Sequence, residues 1–208
     1  MEKYEGVKFR VNILEESLEI DNNFLKILKE LNNTAYLFSQ LGLTPLHTEG
    51  AYGNFSLRLK DDIFIISKTG FIPKEDFKLE NFVVVKEVDI KGKEVYAYGV
   101  NKPSSEAFLH YLLYNSNKKI NFILHGHFEL FLKHNSILDI PTTKKFYPYG
   151  TIELGYSALE LLEEKKDIKL PFIFNLKDHG FVAIGDDLNT TRNLVLEKLK
   201  YIIDFIIK

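Results

Sequence analysis

Apolar runs of strand length are interleaved with amphipathic helical segments along this sequence. That interleaving limits the fold more than any other feature. VKFRVNIL places Val7, Phe9, Val11 and Ile13 at a period of two, as in a half-buried strand. From about Asn22 to Leu41 the spacing becomes helical, through Phe24, Leu25, Leu28, Leu31, Ala35 and Phe38. A cap is expected at Asp21 or Asn22 and a stop near Gly42. GNFSLRL and DDIFIIS read as two short strands. FVVVKEVDI and KEVYAYG flank the turn Lys91-Gly92 and read as a hairpin. A helix is expected to open at Pro103-Ser104-Ser105 and to run through Glu106 to about Asn115. KINFILHGH is a further strand, with a short helix after it. A helix from Gly150 to Glu164, strands LPFIFNL and GFVAIG, and an amphipathic helix from about Asn189 complete the pattern. Such a chain belongs to the α/β or α+β class, with helices covering a sheet. No repeat and no Pro/Gly/Ser-rich linker divides it, so one domain is expected over its 208 residues.

Composition removes several kinds of chemistry. There is no cysteine, which excludes disulfides, thiolate metal ligands, thiol nucleophiles and thiol redox roles. Any metal must be held by His, Asp or Glu. The balance of 27 basic against 29 acidic side chains calls for no polyanion, so nucleic acid is not an expected partner. The amino terminus, MEKYEGVKFRVN, is charged and lacks the apolar stretch of a signal peptide. No apolar run approaches the ~20 residues that span a bilayer. The carboxy-terminal LVLEKLKYIIDFIIK is too interrupted by charge. A soluble, cytoplasmic protein without membrane association is the expectation.

His125-Gly126-His127 stands at the end of the apolar strand NFIL. Strand residues two apart point the same way, so both imidazoles could face one point. Two such histidines and a third from elsewhere can hold zinc with a coordination position left open. The alternative is two unrelated histidines at a strand end. His179, in NLKDHGFVAIG, is a candidate third ligand or a simple turn histidine. Pro103-Ser104-Ser105-Glu106 reads as an ordinary helix start with a serine cap and a first-turn glutamate. It also reads as an anion site, since helix N-termini offer free N–H groups. His110, four residues after Glu106, shares its helix face, either to orient a site group or as a satisfied helix histidine. Gly53-Asn54-Phe55-Ser56 and Ser67-Lys68-Thr69-Gly70 sit at strand ends, as turns or as phosphate cradles. His47 and His134 have no such context and are read as structural or exposed.

Taken in order, these pieces resemble the class II aldolase/adducin family. The matching residues are GNFS at 53–56, SKTG at 67–70, PSSE at 103–106, His110, HGH at 125–127, and DHG at 178–180 followed by Gly185. The resemblance implies a three-layer αβα fold around a central, mostly antiparallel sheet, and a homotetramer with sites between subunits. It implies His125, His127 and His179 as ligands of a divalent metal, zinc foremost. Glu106 becomes the acid/base, and Asn54, Thr69, Gly70, Ser104 and Ser105 become contacts to a substrate phosphate. The implied reaction is cleavage of a phosphorylated ketose to dihydroxyacetone phosphate and an aldehyde through an enediolate. A 4-epimerase, a dehydratase and a non-catalytic adducin-like module are the alternatives. Glu rather than Asp at 106 favours the aldolase, and the three histidines argue against the adducin-like module. Three departures stand out. Lys68 occupies a usual proline position, the 141–150 segment is short, and no tail follows the last helix. Tyr147 and Tyr149 are candidates for the tyrosine that relatives send in from a neighbouring subunit.

Overall fold

Backbone pairing in this computed structural model, which describes residues 6–14 and 21–208, defines ten strands. The amino-terminal residues 1–5, part of the charged stretch read above, lie outside that description. The strands are β1 (Arg10–Leu14), β2 (Leu46–His47), β3 (Gly50–Ala51), β4 (Gly53–Lys60), β5 (Ile63–Ser67), β6 (Phe82–Asp89), β7 (Glu94–Tyr98), β8 (Phe122–Gly126), β9 (Phe172–Leu176) and β10 (Gly180–Gly185). Eight of them form one sheet in the order β1-β7-β6-β5-β4-β8-β10-β9, while β2 and β3 pair separately. Within the large sheet only β1–β7 is parallel. The mostly antiparallel sheet that the family resemblance implies is therefore present.

The helices are α1 (Asn22–Gln40), α2 (Ala107–Ser116), α3 (Glu129–Lys133), α4 (Asn135–Leu138), α5 (Ile152–Lys165) and α6 (Leu188–Ile206). They divide between the two faces of the sheet, and the pleat decides which strand residues each one meets. Phe181 and Ala183 of β10 join Leu124 of β8, Phe55 and Leu57 of β4, and residues of α1 and α6 in one core. The intervening Val182 and Ile184 join Ile123, Phe64 and residues of α2 and α5 in the other. Alternation with a period of two thus produces two apolar faces, each roofed by helices, and three layers result.

Several boundaries moved for local reasons. β1 begins at Arg10 rather than Val7, because its partner β7 begins at Glu94, opposite Arg10. Helix α1 starts where expected: the Asp21 carboxylate accepts from the amides of Asn23 and Phe24. Helix α5 starts two residues late. Gly150 has φ +70°, outside the helical region, and Thr151 caps the helix instead. Helix α2 begins only at Ala107, so Ser104, Ser105 and Glu106 form a turn before it and not its first turn.

Phe38 shows how tightly the α1 layer is seated. It is fully buried, with ring centroids 5.8 Å from Phe55 and 6.3 Å from Phe181. Phe38→Ala is expected to cost about 3–5 kcal/mol through lost transfer energy and the residual cavity. Chemical denaturation should show a lower midpoint at unchanged slope. A change within about 0.5 kcal/mol, the range of surface substitutions, would contradict this packing.

Candidate metal centre

Register places the first groups of the site. β8 lies between β4 and β10, with His125 opposite Asn54 on one side and Val182 on the other. Directly opposed residues on antiparallel strands project to the same face. Asn54 and His125 therefore emerge together, and both reach Glu106. Asn54 Nδ2 donates to Glu106 Oε2 at 2.6 Å, and His125 Nε2 lies 3.0 Å from the same oxygen. The other carboxylate oxygen, Oε1, is 2.8 Å from His179 Nε2.

His127 lies one residue past the end of β8, and His179 closes the tight turn between β9 and β10. Asp178 in that turn takes a left-handed φ of +55°, which swings the chain back so that the His179 amide donates to Leu176 O at 3.1 Å. The approach demands glycine at 180. A Cβ there would sit 2.4 Å from Gly126 O and 3.0 Å from carbons of both His125 and His127. The glycine of DHG is thus a packing requirement of the histidine cluster.

One nitrogen from each of His125, His127 and His179 falls within 4.8 Å of the others. The His125 and His127 Nε2 atoms are 3.1 Å apart. Tetrahedral zinc with bonds of about 2.0–2.1 Å separates its nitrogen ligands by about 3.3 Å. The chemistry of the donors also fits a cation. His125 Nδ1 donates to the Phe181 carbonyl at 2.7 Å, which leaves Nε2 as a lone pair in the neutral ring. That lone pair faces the His127 nitrogen and the Glu106 carboxylate. Such a convergence is favourable only around a positive species, a proton or a metal ion.

Burial and charge compete at Glu106. Burial alone would push its carboxyl upward. His125 and His179, through charge and hydrogen bonding, outweigh that and hold it well below the usual carboxylate range. Burial works against a charged His125, but the Glu106 carboxylate and the Phe181 carbonyl raise it overall. His127 is kept neutral by burial first and by its two histidine neighbours second. Glu106 caps no amide of α2, although it occupies the N-cap position. Its oxygens are committed to Asn54, His125 and His179 instead, contrary to the ordinary helix-start reading.

Most of these groups line one cleft. Asn54, Glu106, His127 and His179 share it with Lys68, Thr69, Gly70, Ser104 and Ser105. The structure thus brings the two strand-end motifs, the PSSE turn and the histidines to one place. His125 is fully buried beneath them. Asn54, which lines the cleft, also holds the Glu106 carboxylate through its amide nitrogen.

Sequence reasoning missed one wall of the cleft. His47, read as structural or exposed, lines it together with Tyr52. The rings form a ladder, His47 to Tyr52 at 4.5 Å and Tyr52 to His127 at 5.3 Å. Only the position of Tyr52 beside GNFS hinted at this, and nothing in the sequence paired it with His47. Tyr149 lines the cleft, with the Lys8 ammonium 4.0 Å from its ring centre, whereas Tyr147 packs against the α2–α5 core. No helix among the described residues is long and apolar enough to cross a membrane.

Comparison with known proteins bears on this arrangement. The chain is 29% identical over 182 residues to an L-fuculose phosphate aldolase of Methanocaldococcus jannaschii, covering 79% of this chain and 83% of the relative. It is 28% identical to a 3-oxo-tetronate 4-phosphate decarboxylase of Haemophilus influenzae over 68% of this chain and 70% of that one. A solved sugar-phosphate aldolase from Thermotoga maritima superposes with a TM-score of 0.65 at 19% identity, over 89% of this chain and 97% of that one, a likeness of fold. The family model for the class II aldolase and adducin N-terminal domain matches residues 30–201, most of the chain, and the protein belongs to that family.

Proposed function

We propose that this protein is a zinc-dependent aldolase that cleaves a phosphorylated ketose to dihydroxyacetone phosphate and an aldehyde. One observation carries the reading: three histidine nitrogens converge within 4.8 Å beside a carboxylate that is already hydrogen-bonded among them. The aldolase name of the Methanocaldococcus jannaschii relative supports the reaction class.

His125, His127 and His179 would hold the metal. When bound, the metal supplies Lewis-acid stabilisation for the negative charge that builds on the substrate carbonyl oxygen as the carbon–carbon bond breaks. Glu106 moves the proton. Its carboxylate would exchange a proton with the carbon that becomes nucleophilic. Asn54 fixes one carboxylate oxygen and so sets the direction of that exchange. In the same cleft, Lys68, Thr69, Gly70, Ser104 and Ser105 offer a cation, hydroxyls and backbone amides for the phosphate. Anchoring the phosphate there holds the reacting carbon at a fixed distance from Glu106. A cyclic tetramer, a single domain over residues 1–208 and a cytoplasmic location belong to the same proposal.

The test is product analysis with zinc-loaded protein and a panel of phosphorylated ketoses. Dihydroxyacetone phosphate and an aldehyde should appear in equal amounts. The decarboxylase relative makes a second outcome specific. Release of carbon dioxide from a phosphorylated 3-oxo acid, without aldehyde from any ketose, would replace the aldolase reading. An isomeric ketose would indicate an epimerase, and a dehydrated diketone a dehydratase. A metal-loaded protein that turns over none of them would be a binding module.

A further inference from the structure

A second polar cluster lies inside the wall next to Glu106. Asn54, Ser56 and Arg58 alternate along β4 and share a face, under α2. Ser56, His110 and Tyr114 are all fully buried, and none of them lines the cleft. Ser56 Oγ is 2.7 Å from His110 Nδ1 and 2.6 Å from Tyr114 Oη. Arg58 clamps the far end, its guanidinium 4.7 Å from the Tyr114 ring centre and donating to the Tyr114 carbonyl at 2.7 Å.

The distances decide where the protons go. Tyr114 Oη has two possible acceptors, Ser56 Oγ at 2.6 Å and the Asn121 carbonyl at 3.5 Å. Good O–H···O bonds measure about 2.5–3.0 Å, so the tyrosine proton goes to Ser56. Ser56 then has its own proton for His110 Nδ1. Burial pushes the His110 ring down to about 3 against the opposing pull of the Glu106 charge, so the ring is neutral at working pH. With Nδ1 accepting, Nε2 carries the hydrogen. That N–H is buried without a hydrogen-bond partner, as is Asn54 Oδ1. A buried donor left unpaired costs about 1–3 kcal/mol, so its retention calls for a role. Helix side chains lean toward the N-terminus, and the Glu106 charge acts on the His110 ring, so the ring is taken to face the Glu106 end of the wall.

We propose that His110 is a positioning residue for Glu106, held by Ser56 and Tyr114 as the tautomer that presents Nε2–H to the Glu106 end of the wall. When substrate draws the carboxylate away from its histidine partners, the neutral donor limits its travel without protonating it. The catalytic consequence rests on the reading of Glu106 as the acid/base, whereas the tautomer does not.

Two measurements test this. Long-range proton–nitrogen spectra of the histidine-labelled, metal-free full chain should show His110 protonated at Nε2 only. It should not titrate between roughly pH 5 and 8, where an ordinary histidine does. His110→Gln assigns the resonance. A proton on Nδ1, or titration in that window, overturns the proposal. The second measurement compares His110→Gln, which keeps a donor near the Nε2 position, with His110→Asn, which keeps only the group facing Ser56. Gln should retain kcat within about fivefold, while Asn loses about thirtyfold or more at a KM changed by less than about threefold. A structural role at Ser56 predicts the reverse order, and that order, or equal losses, overturns positioning. Wild-type protein without turnover overturns the aldolase reading and this positioning role with it, while the spectrum still judges the tautomer.

Discussion

His125→Ala should bind zinc about 10²–10³-fold more weakly than the wild-type protein, measured by competition with a chromogenic chelator. The magnitude follows from sharing the roughly 10–16 kcal/mol of a four-ligand zinc site among its ligands, which gives about 2.5–4 kcal/mol each. His125 is the ligand candidate whose loss matters most. It is fully buried, and its Nδ1–H is pinned to the Phe181 carbonyl, so its Nε2 is pre-aimed at the cluster. His127 lacks that support, because its Nδ1 is buried without a partner. The prediction therefore has an order as well as a size: His127→Ala should weaken zinc less than His125→Ala. Equal zinc binding by wild type and His125→Ala would falsify the metal centre. Circular dichroism of each variant separates loss of the ligand from loss of the fold.

The sequence disclosed those parts of the fold and site that short-range rules control. The Lys91-Gly92 hairpin, the Asp21 cap and the period-two faces of β4 and β10 depend on neighbours along the chain, and they were legible. The spacing of His125 and His127 was legible for the same reason. Glu106 was harder. Its residue type and position before a helix suggest a cap, and only the tertiary structure reveals that its oxygens face Asn54 and two histidines. Asn54 and His125 are 71 positions apart and become neighbours through the β4–β8 register, which no local pattern encodes. His47 and Tyr52 were invisible as site residues because their partner, His127, arrives from another strand end. The family resemblance compensated where it had a motif, as at Glu106 and His179. It had none for the aromatic wall.

Glu106→Gln should lower kcat for cleavage by about 10²–10⁴-fold, the usual contribution of a positioned acid/base. The amide matches the carboxylate in size and can still accept the Asn54 hydrogen bond, so packing in this buried position changes little. What it cannot do is take up and return a proton. Zinc affinity should change far less than in His125→Ala, since all three imidazoles remain. The same variant should fail to exchange the carbon-bound hydrogen of dihydroxyacetone phosphate with solvent deuterium, in the absence of any aldehyde. That partial reaction isolates the proton transfer at carbon from recognition of the other half of the substrate. Glu106→Gln that cleaves slowly but exchanges at the wild-type rate would place the proton acceptor elsewhere in the cleft. Loss of both with zinc retained ties the buried carboxylate to the carbon acid. It would also explain why a helix start gives up its own cap so that Glu106 can face the histidines.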